Sequence, residues 1–223
     1  MQLIIENVLD ARQLQLAREL LQRAPFQDGK LTAGDWAARV KHNEEVPTDA
    51  VLVQQINNLV MTPLVRHPRF QAAVLPQRIA APIYARYRPG MEYGFHVDDP
   101  IMGAAQGKYR TDVSFTLFLS SPEEYQGGEL EIAGEFGTLC HKLPAGHAIV
   151  YPSSSLHRVK PVREGTRLVA ISWIQSLIRS PACRQVLYDM NLAREKLVAL
   201  QARDEAARLD TAYANLFRMW AEP

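Results

Sequence analysis

The sequence predicts an α+β protein whose central part is an all-β barrel or sandwich. Between residues 79 and 174, about eight short runs rich in β-branched and aromatic residues alternate with turn signals such as Pro89-Gly90 and Gly127-Gly128. Helical periodicity precedes this region, and a composition rich in Leu, Ala, Arg, Glu and Gln follows it. We therefore expect helices on both sides of a β-rich core.

The N-terminal region predicts two helices and a shorter third one. Residues 10–24 have the apolar spacing of an amphipathic helix, with Asp10 as its N-cap. A second helix is expected over about residues 48–64, and a shorter one after Pro68. Between the first two, the polar and glycine-containing segment 26–47 predicts loop and short strand.

The C-terminal region predicts a long helix over residues 180–206 and a break near Asp210-Thr211 before a final aromatic segment. The aromatic side chains of that segment either pack on the rest of the chain or form an interface with a second copy. We expect three regions: an N-terminal helical and mixed support region (1–78), a β-rich core (79–176) and a helical C-terminal appendage (177–223).

Composition and charge exclude several classes of protein. A chain of 223 residues with 47% hydrophobic and 22% charged residues is typical of a globular protein, and a net charge of +1 predicts no nucleic-acid or membrane partner. No run approaches the roughly 18 apolar residues of a membrane span. The N-terminus lacks the basic region and apolar run of a secretory signal, and Cys140 and Cys183 are expected to be free thiols. We expect a cytoplasmic location.

The stretch Tyr-Arg-Pro-Gly-Met-Glu-Tyr-Gly-Phe-His-Val-Asp contains a histidine and a carboxylate two residues apart, His96 and Asp98. Alternation along an extended strand puts both side chains on one face. Phe95 and Val97 then point the other way, into an expected apolar layer. By itself a His-x-Asp pair is weak evidence, because such pairs are common on protein surfaces.

A third candidate ligand, His157, lies in Tyr-Pro-Ser-Ser-Ser-Leu-His-Arg-Val, and Arg167 follows ten residues later. Two imidazoles and one carboxylate leave positions open on the other side of a metal, the arrangement of non-haem Fe(II) oxygenases. The guanidinium of Arg167 can bind a carboxylate through two hydrogen bonds, and a buried arginine needs an anionic partner. Tyr87 offers a neutral hydroxyl donor to the same anion.

Further motifs lie between and beside these residues: Tyr125-Gln126-Gly127-Gly128-Glu129-Leu130, Pro144-Ala145-Gly146, Tyr151-Pro152-Ser153, and Gly165-Thr166-Arg167 through Trp173. With them, the span from about Ile79 to Trp173 resembles the Fe(II)/2-oxoglutarate dioxygenases of the prolyl and lysyl hydroxylase type. The whole chain resembles the bacterial PKHD-type hydroxylases, a group associated with iron uptake. The resemblance implies a double-stranded β-helix (jelly-roll) core with buttressing N-terminal helices and a helical C-terminal appendage.

Carried over residue by residue, the resemblance implies that His96, Asp98 and His157 bind Fe(II). It also implies that Arg167 binds the distal carboxylate of 2-oxoglutarate, with Tyr87 as a second contact. The reaction consumes 2-oxoglutarate and O₂, releases succinate and CO₂ and hydroxylates a substrate. Ascorbate is expected to keep the iron reduced.

Two alternatives use the same residues. One is a non-catalytic sensor that binds iron and 2-oxoglutarate, and the other is a zinc hydrolase, which leaves Arg167 without a role. The substrate stays open between a small molecule, such as an iron-siderophore, and a peptide. The aromatic C-terminal helices are a candidate homo-oligomer interface.

Other polar residues are expected to have ordinary roles. The remaining histidines, His42, His67, His141 and His147, lack a carboxylate at suggestive spacing. The pairs Glu44-Glu45 and Glu123-Glu124 are expected in solvated loops, since neighbouring strand residues face opposite ways.

The sequence also predicts the positions of three residues near His96 and Asp98. Tyr93 belongs either to the core or to the substrate side of the iron. Asp99 is expected to face away from the metal. Met102 lies in a stretch, residues 99–110, that is expected to be a mobile loop covering the substrate.

Overall fold

The computed structural model describes residues 2–49, 51–103, 107–134 and 136–222. These residues form helices before and after a β-rich middle, as the sequence predicts. The helices are α1 (Ala11–Gln22), α2 (Val51–Arg66), α3 (Pro68–Val74), α4 (Pro181–Ala199) and α5 (Arg203–Trp220).

The strands are short, and several have only two or three residues. They are β1 (Leu3–Ile5), β2 (Gln27–Asp28), β3 (Lys41–His42), β4 (Glu44–Glu45), β5 (Pro76–Ile79), β6 (Ile83–Tyr87), β7 (Glu92–His96), β8 (Ile101–Met102), β9 (Tyr109–Arg110), β10 (Val113–Phe118), β11 (Tyr125–Gly127), β12 (Leu130–Gly134), β13 (Gly137–His141), β14 (Ala148–Pro152), β15 (His157–Val159), β16 (Val162–Gly165) and β17 (Arg167–Ser176).

Two antiparallel sheets make up the jelly-roll core. The larger sheet has the order β1-β14-β10-β17-β6-β4-β2, with β5 also pairing with β17. The smaller sheet has the order β13-β12-β15-β7-β3. Two short pairs, β11-β16 and β8-β9, lie outside these sheets. The fold class predicted from the sequence is confirmed.

Apolar side chains pack on both faces of the larger sheet. On β10, Phe115 and Leu117 belong to a cluster shared with the N-terminal helices, while Phe118 belongs to a cluster between the two sheets. The same alternation turns Ser114 and Thr116 towards the space between the sheets. A strand with a fully buried run of six residues therefore supplies polar groups to the interior.

Helix α1 begins at a reciprocal capping interaction. The backbone N–H of Gln13 donates to Asp10 Oδ1 at 2.7 Å, and the backbone N–H of Asp10 donates to Gln13 Oε1 at 3.0 Å. Ala17 and Leu21 on its buried face belong to the same apolar cluster as Phe115 and Leu117. The predicted N-cap and amphipathic face are confirmed.

The predicted break near Asp210-Thr211 is wrong. The break lies at residues 200–202, where Gln201 has a φ of 58°, and both residues of the predicted break lie inside α5. Asp210 forms an ion pair with Arg194 on α4, which ties the two helices together. Thr211 stays within the helix, where its hydroxyl donates to the carbonyl of Ala207 at 3.0 Å.

The final aromatic residues dock α5 on the rest of the chain. Tyr213, Phe217 and Trp220 pack against a small cluster that contains Ile178 and Leu187. None of the helices in the described ranges is long and apolar enough to cross a membrane.

The segment before α2, residues 26–47, contributes short strands to both sheets. Its strand β3 pairs with β7 in the smaller sheet, and β4 pairs with β6 in the larger one. The expected loop with short strand is confirmed, and it contributes side chains to the interior. The division of the chain into three regions stays a prediction.

Candidate active site

The three candidate ligands meet at the end of strand β7. His96 is the last residue of β7 and lies opposite His157, the first residue of β15. Asp98 Oδ1 is 4.0 Å from His96 Nε2 and 3.9 Å from His157 Nε2. One ligand atom from each residue lies within 4.8 Å of the others. Although β7 ends before Asp98, the chain still turns its carboxylate to the histidine face.

Backbone carbonyls orient both imidazoles. His96 Nδ1 is 2.8 Å from the carbonyl oxygen of Gly94, and His157 Nδ1 is 2.9 Å from that of Ser155. Donation from each Nδ1–H leaves the Nε2 lone pair directed at the cluster. Burial, and then the neighbouring His157, lower the pKa of His96 to about 4. A neutral imidazole is the form that binds a metal.

Asp98 is fixed by a serine pair. Its Oδ2 accepts a hydrogen bond from the hydroxyl of Ser114, whose Oγ is 2.8 Å from Ser153 Oγ. The side chain of Asp98 is only 7% exposed, so this contact replaces lost hydration. Sequence reasoning missed Ser114, although a polar residue within the buried run of β10 was a usable signal.

The expected apolar layer over Phe95 and Val97 is wrong. These side chains are 42% and 48% exposed, and the ring of Phe95 packs against the guanidinium of Arg158, 4.5 Å away. Alternation correctly turns them away from the histidine face. It does not reveal whether another layer covers the opposite face.

Arg167 and Tyr87 lie in the same cavity as the three ligands, a space of about 650 Å³. They face each other across β17 and β6 and are 1% and 2% exposed. The Arg167 Cζ atom lies 5.0 Å from the ring centre of Tyr87 and 5.5 Å from that of Phe118.

No carboxylate within the described ranges pairs with Arg167, and its Nε has no hydrogen-bond partner there. A buried guanidinium without an anion is costly. The donor set therefore fits an anionic ligand beside a metal, as a 2-oxo acid requires.

A glycine turn makes room for this arginine. Gly128 has a φ of +66°, and a Cβ there would lie 3.1 Å from Arg167 Cδ and 3.1 Å from Tyr125 Cε2. Tyr125 is buried, and its hydroxyl has no partner among the described residues. Burial raises the pKa of the Tyr125 hydroxyl, and the nearby Arg167 acts to lower it. The Gly-Gly motif therefore brings a second tyrosine to the arginine, a role that sequence reasoning did not assign.

Tyr93 lines the cavity and stacks flat on His96, with ring centroids 3.6 Å apart and an angle of 11° between planes. Tyr93 also packs against the apolar cluster between the sheets, so the choice between a core position and the substrate side of the iron stays open. Burial raises the pKa of the Tyr93 hydroxyl, so it is a neutral donor.

The expectation that Glu44-Glu45 lie in a solvated loop is wrong. Glu45 is 1% exposed and pairs with Lys41 at 2.6 Å, and the Lys41 ammonium also donates to Thr32 Oγ1 at 3.0 Å. Glu44 faces the other way and pairs with Arg86 at 2.7 Å. Because β4 joins the larger sheet, its alternating side chains face into and away from the interior.

The hairpin β8–β9 borders the mouth of the cavity. Met102 and Tyr109 line the cavity, and the guanidinium of Arg78 lies 4.9 Å from the ring centre of Tyr109. Arg110 in this hairpin pairs with Glu222 at 2.8 Å, which links the hairpin to the residues after α5. Part of the expected mobile loop is thus strand, and residues 104–106 of it lie outside the described ranges.

Two charged side chains line the mouth without an oppositely charged partner in the described ranges. They are Arg78 and Asp99. Because the strand ends at His96, alternation does not decide the direction of the Asp99 side chain, which lines the cavity but is not part of the ligand cluster. Its expected orientation away from the metal stays a prediction.

The fold and this site agree with the comparisons. A model of the 2OG-Fe(II) oxygenase superfamily matches residues 82–175. A Pseudomonas putida prolyl-4-hydroxylase superposes with a TM-score of 0.52 at 20% identity, over 78% of this chain and 92% of that one. A 2OG-Fe(II) oxygenase family oxidoreductase from Burkholderia pseudomallei gives 0.57 at 16% identity, over 77% and 82%. At such identities the likeness shows the fold alone.

Closer relatives define the family. A PKHD-type hydroxylase of Thioalkalivibrio sulfidiphilus (strain HL-EbGR7) is 52% identical over 223 residues, covering 100% of both chains. Another, from Synechococcus elongatus, is 44% identical over 219 residues, covering 98% of each. The chain belongs to the PKHD-type hydroxylases of the 2OG-Fe(II) oxygenase superfamily, whose cofactor is Fe(II) and whose co-substrate is 2-oxoglutarate.

Proposed function

We propose that His96, Asp98 and His157 bind Fe(II), that Arg167 and Tyr87 bind the distal carboxylate of 2-oxoglutarate, and that the enzyme hydroxylates a C–H bond. One observation carries this assignment. The only cluster of three potential ligands in the described ranges lines the same cavity as a buried arginine without a carboxylate partner. The zinc-hydrolase alternative gives that arginine no role.

Bound Fe(II) and 2-oxoglutarate supply the oxidising chemistry, in which O₂ converts the 2-oxo acid to succinate and CO₂ and one oxygen atom enters the substrate. The protein supplies geometry. The carbonyl contacts of the two histidines fix their rings, and the Ser114 hydroxyl fixes Asp98.

Arg167 and Tyr87 anchor and orient the co-substrate. The guanidinium provides a charge-assisted hydrogen bond in a site with almost no solvent exposure, where such a bond is stronger than in water. Apolar neighbours between the sheets, such as Leu130 and Val159, exclude water from the same cavity.

The substrate faces the mouth of the cavity, where Arg78 and Asp99 offer opposite charges and Met102 and Tyr109 offer apolar surface. This lining suits a small polar molecule or a peptide. We propose a link to iron uptake, which the resemblance to the PKHD-type group implies. Increased transcription of the gene in iron-starved cells tests that link.

We further propose a cytoplasmic enzyme that uses ascorbate to keep its iron reduced and forms homo-oligomers through α4 and α5. Omitting ascorbate from repeated turnovers should lower the succinate yield. Light scattering of the purified protein tests the oligomer, and a monomer at all concentrations would exclude it.

The decisive experiment is an anaerobic titration with Fe(II) and 2-oxoglutarate, followed by O₂ and an assay of succinate. We expect a visible charge-transfer band that requires both components and is lost in His157→Ala. His42→Ala is the matched control, because His42 is exposed and lies outside the cluster. Tight zinc binding without such a band would refute the proposal.

Added substrate separates the hydroxylase from a sensor. For a hydroxylase, succinate formation accelerates when candidate small molecules or peptides are added. Slow succinate formation that no substrate class accelerates would favour the sensor.

A further inference from the structure

The segment before α2 reaches the co-substrate side of the cavity, although it lies outside residues 82–175, which match the superfamily. Strand β4 pairs with β6 in a register that puts Glu45 opposite Ala85. Asn43 is the residue before β4, and the backbone hydrogen bond from the Gly29 N–H to its carbonyl continues the pairing of β2 with β4. Extending the register of β4 and β6 to this residue puts Asn43 opposite Tyr87. Alternation then turns both side chains to the same face, the one between the sheets.

On the other side of β6, Tyr87 lies opposite Arg167 of β17. Asn43, Tyr87 and Arg167 therefore form a row across β17, β6 and the extended residue before β4, at the spacing where cross-strand side chains touch. The three residues are 2%, 2% and 1% exposed, so water does not compete for their hydrogen bonds. The row ends at the guanidinium of Arg167, which has no carboxylate partner among the described residues.

The side chain of Asn43 is held in place from two sides. Its Nδ2 donates to Glu45 Oε1 at 3.4 Å, and Glu45 is fixed by Lys41. The backbone N–H of Gly29 donates to the Asn43 carbonyl at 2.9 Å, and a Cβ on Gly29 would lie 1.9 Å from Asn43 Oδ1. The amide oxygen therefore occupies the space that a Cβ at position 29 would need.

Burial raises the pKa of Tyr87 to about 12, and Arg167 and Asn43 both act to lower it. Asn43 Oδ1 packs against Gly29, and Nδ2 uses one of its two hydrogens on Glu45. The second hydrogen of Nδ2 is therefore the one that the amide can offer to the tyrosine oxygen. The single proton of the hydroxyl is then free to point into the cavity beside Arg167.

We propose that Asn43 is a positioning residue for 2-oxoglutarate, which directs the Tyr87 proton towards the carboxylate that Arg167 binds. This inference rests on the proposed function. Because Asn43 acts through the tyrosine hydroxyl, its removal weakens co-substrate binding only while that hydroxyl is present. A residue with a merely structural role would not show this dependence.

The test is a double-mutant cycle with Asn43→Ala and Tyr87→Phe, in which anaerobic titration of the Fe(II) protein gives the dissociation constant of 2-oxoglutarate. We expect Tyr87→Phe to raise it about ten- to a hundredfold and Asn43→Ala about three- to tenfold. In the Tyr87→Phe background, Asn43→Ala should change it less than about twofold. Fe(II) affinity should stay unchanged throughout.

Asn57→Ala is the matched control. Asn57 in α2 accepts a hydrogen bond from the hydroxyl of Tyr84 at 2.8 Å. Tyr84 lies on β6, as Tyr87 does, but its side chain faces the N-terminal helices. This variant should leave the dissociation constant of 2-oxoglutarate within about twofold of wild type. If Asn43→Ala fails to fold, Asn43→Ser, whose hydroxyl is too short to reach the tyrosine, takes its place in the cycle.

The outcomes separate the two proposals. Equal effects of the asparagine variant in both backgrounds, or none in either, would overturn the role of Asn43 and leave the proposed function intact. If the wild-type protein binds Fe(II) and 2-oxoglutarate without the charge-transfer band, or binds neither, both proposals are overturned together.

Discussion

Replacing Arg167 with methionine should remove most of the stabilisation by 2-oxoglutarate while sparing the unliganded protein. The guanidinium is 1% exposed and unpaired with any described carboxylate, so removing it relieves an uncompensated buried charge. Methionine fills a similar volume but loses the cation–π contacts with Tyr87 and Phe118. These effects oppose each other, and we expect the unliganded stability to change by no more than about 1 kcal/mol.

The liganded protein should behave differently. A co-substrate at a hundred times its dissociation constant stabilises the wild type by about 2.7 kcal/mol. For a chain of this size that raises Tm by about 5–10 °C. Losing the arginine partner of a buried carboxylate costs about 2–5 kcal/mol of binding, so the same concentration should raise Tm of Arg167→Met by less than about 3 °C.

The assay is anaerobic thermal unfolding with Fe(II), with and without 2-oxoglutarate, and Arg184→Met is the control. Arg184 is 3% exposed but donates to the carbonyls of Ile178 at 2.7 Å, Arg179 at 2.9 Å and Asp112 at 3.2 Å. That variant should lose about 2–4 kcal/mol of stability and keep the full ligand shift. An undiminished ligand shift in Arg167→Met would refute our assignment.

Three further sets of substitutions test residues that hold the proposed site residues in place. Ser114→Ala should raise the Fe(II) dissociation constant about tenfold, measured by equilibrium dialysis, because Asp98 loses its only side-chain donor in the described ranges; an unchanged constant would contradict this. Lys41→Met should lower the free energy of unfolding by about 3–5 kcal/mol in urea, and Lys41→Met/Glu45→Gln should recover most of the loss. No recovery would mean that packing, not charge, causes the loss. Gly128→Ala should cost at least about 1 kcal/mol in the same assay because of its positive φ, whereas a neutral effect would show that the turn can relax.

The sequence predicts the jelly roll and brings together the five proposed site residues because their signals are local or carried by spacing. His96 and Asp98 lie two residues apart, and the turn motifs before His157 and Arg167 define strands that begin at one cavity. The capping pair at the start of α1 is equally local. The signal for each of these features lies in residues that are neighbours along the chain, although the site itself forms only when distant strands pair.

The failures concern contacts between distant segments. The burial of Glu45 depends on the pairing of β4 with β6, and nothing in two adjacent glutamates reveals this partner. The exposure of Phe95 depends on what lies over the smaller sheet, which alternation does not specify. Asn43 carries no motif, and its role follows only from the register that sets it opposite Tyr87.

The row Asn43–Tyr87–Arg167 also has a consequence for the order of folding. Its members come from three distant parts of the chain, whereas helices α1 to α3 form from local contacts. Distant strands pair late because closing long loops costs entropy before contacts form. A partly folded chain with its helices in place would therefore have no co-substrate site. In the cell, 2-oxoglutarate would bind selectively to chains that have completed the larger sheet, and its abundance would favour the finished enzyme over its folding intermediates.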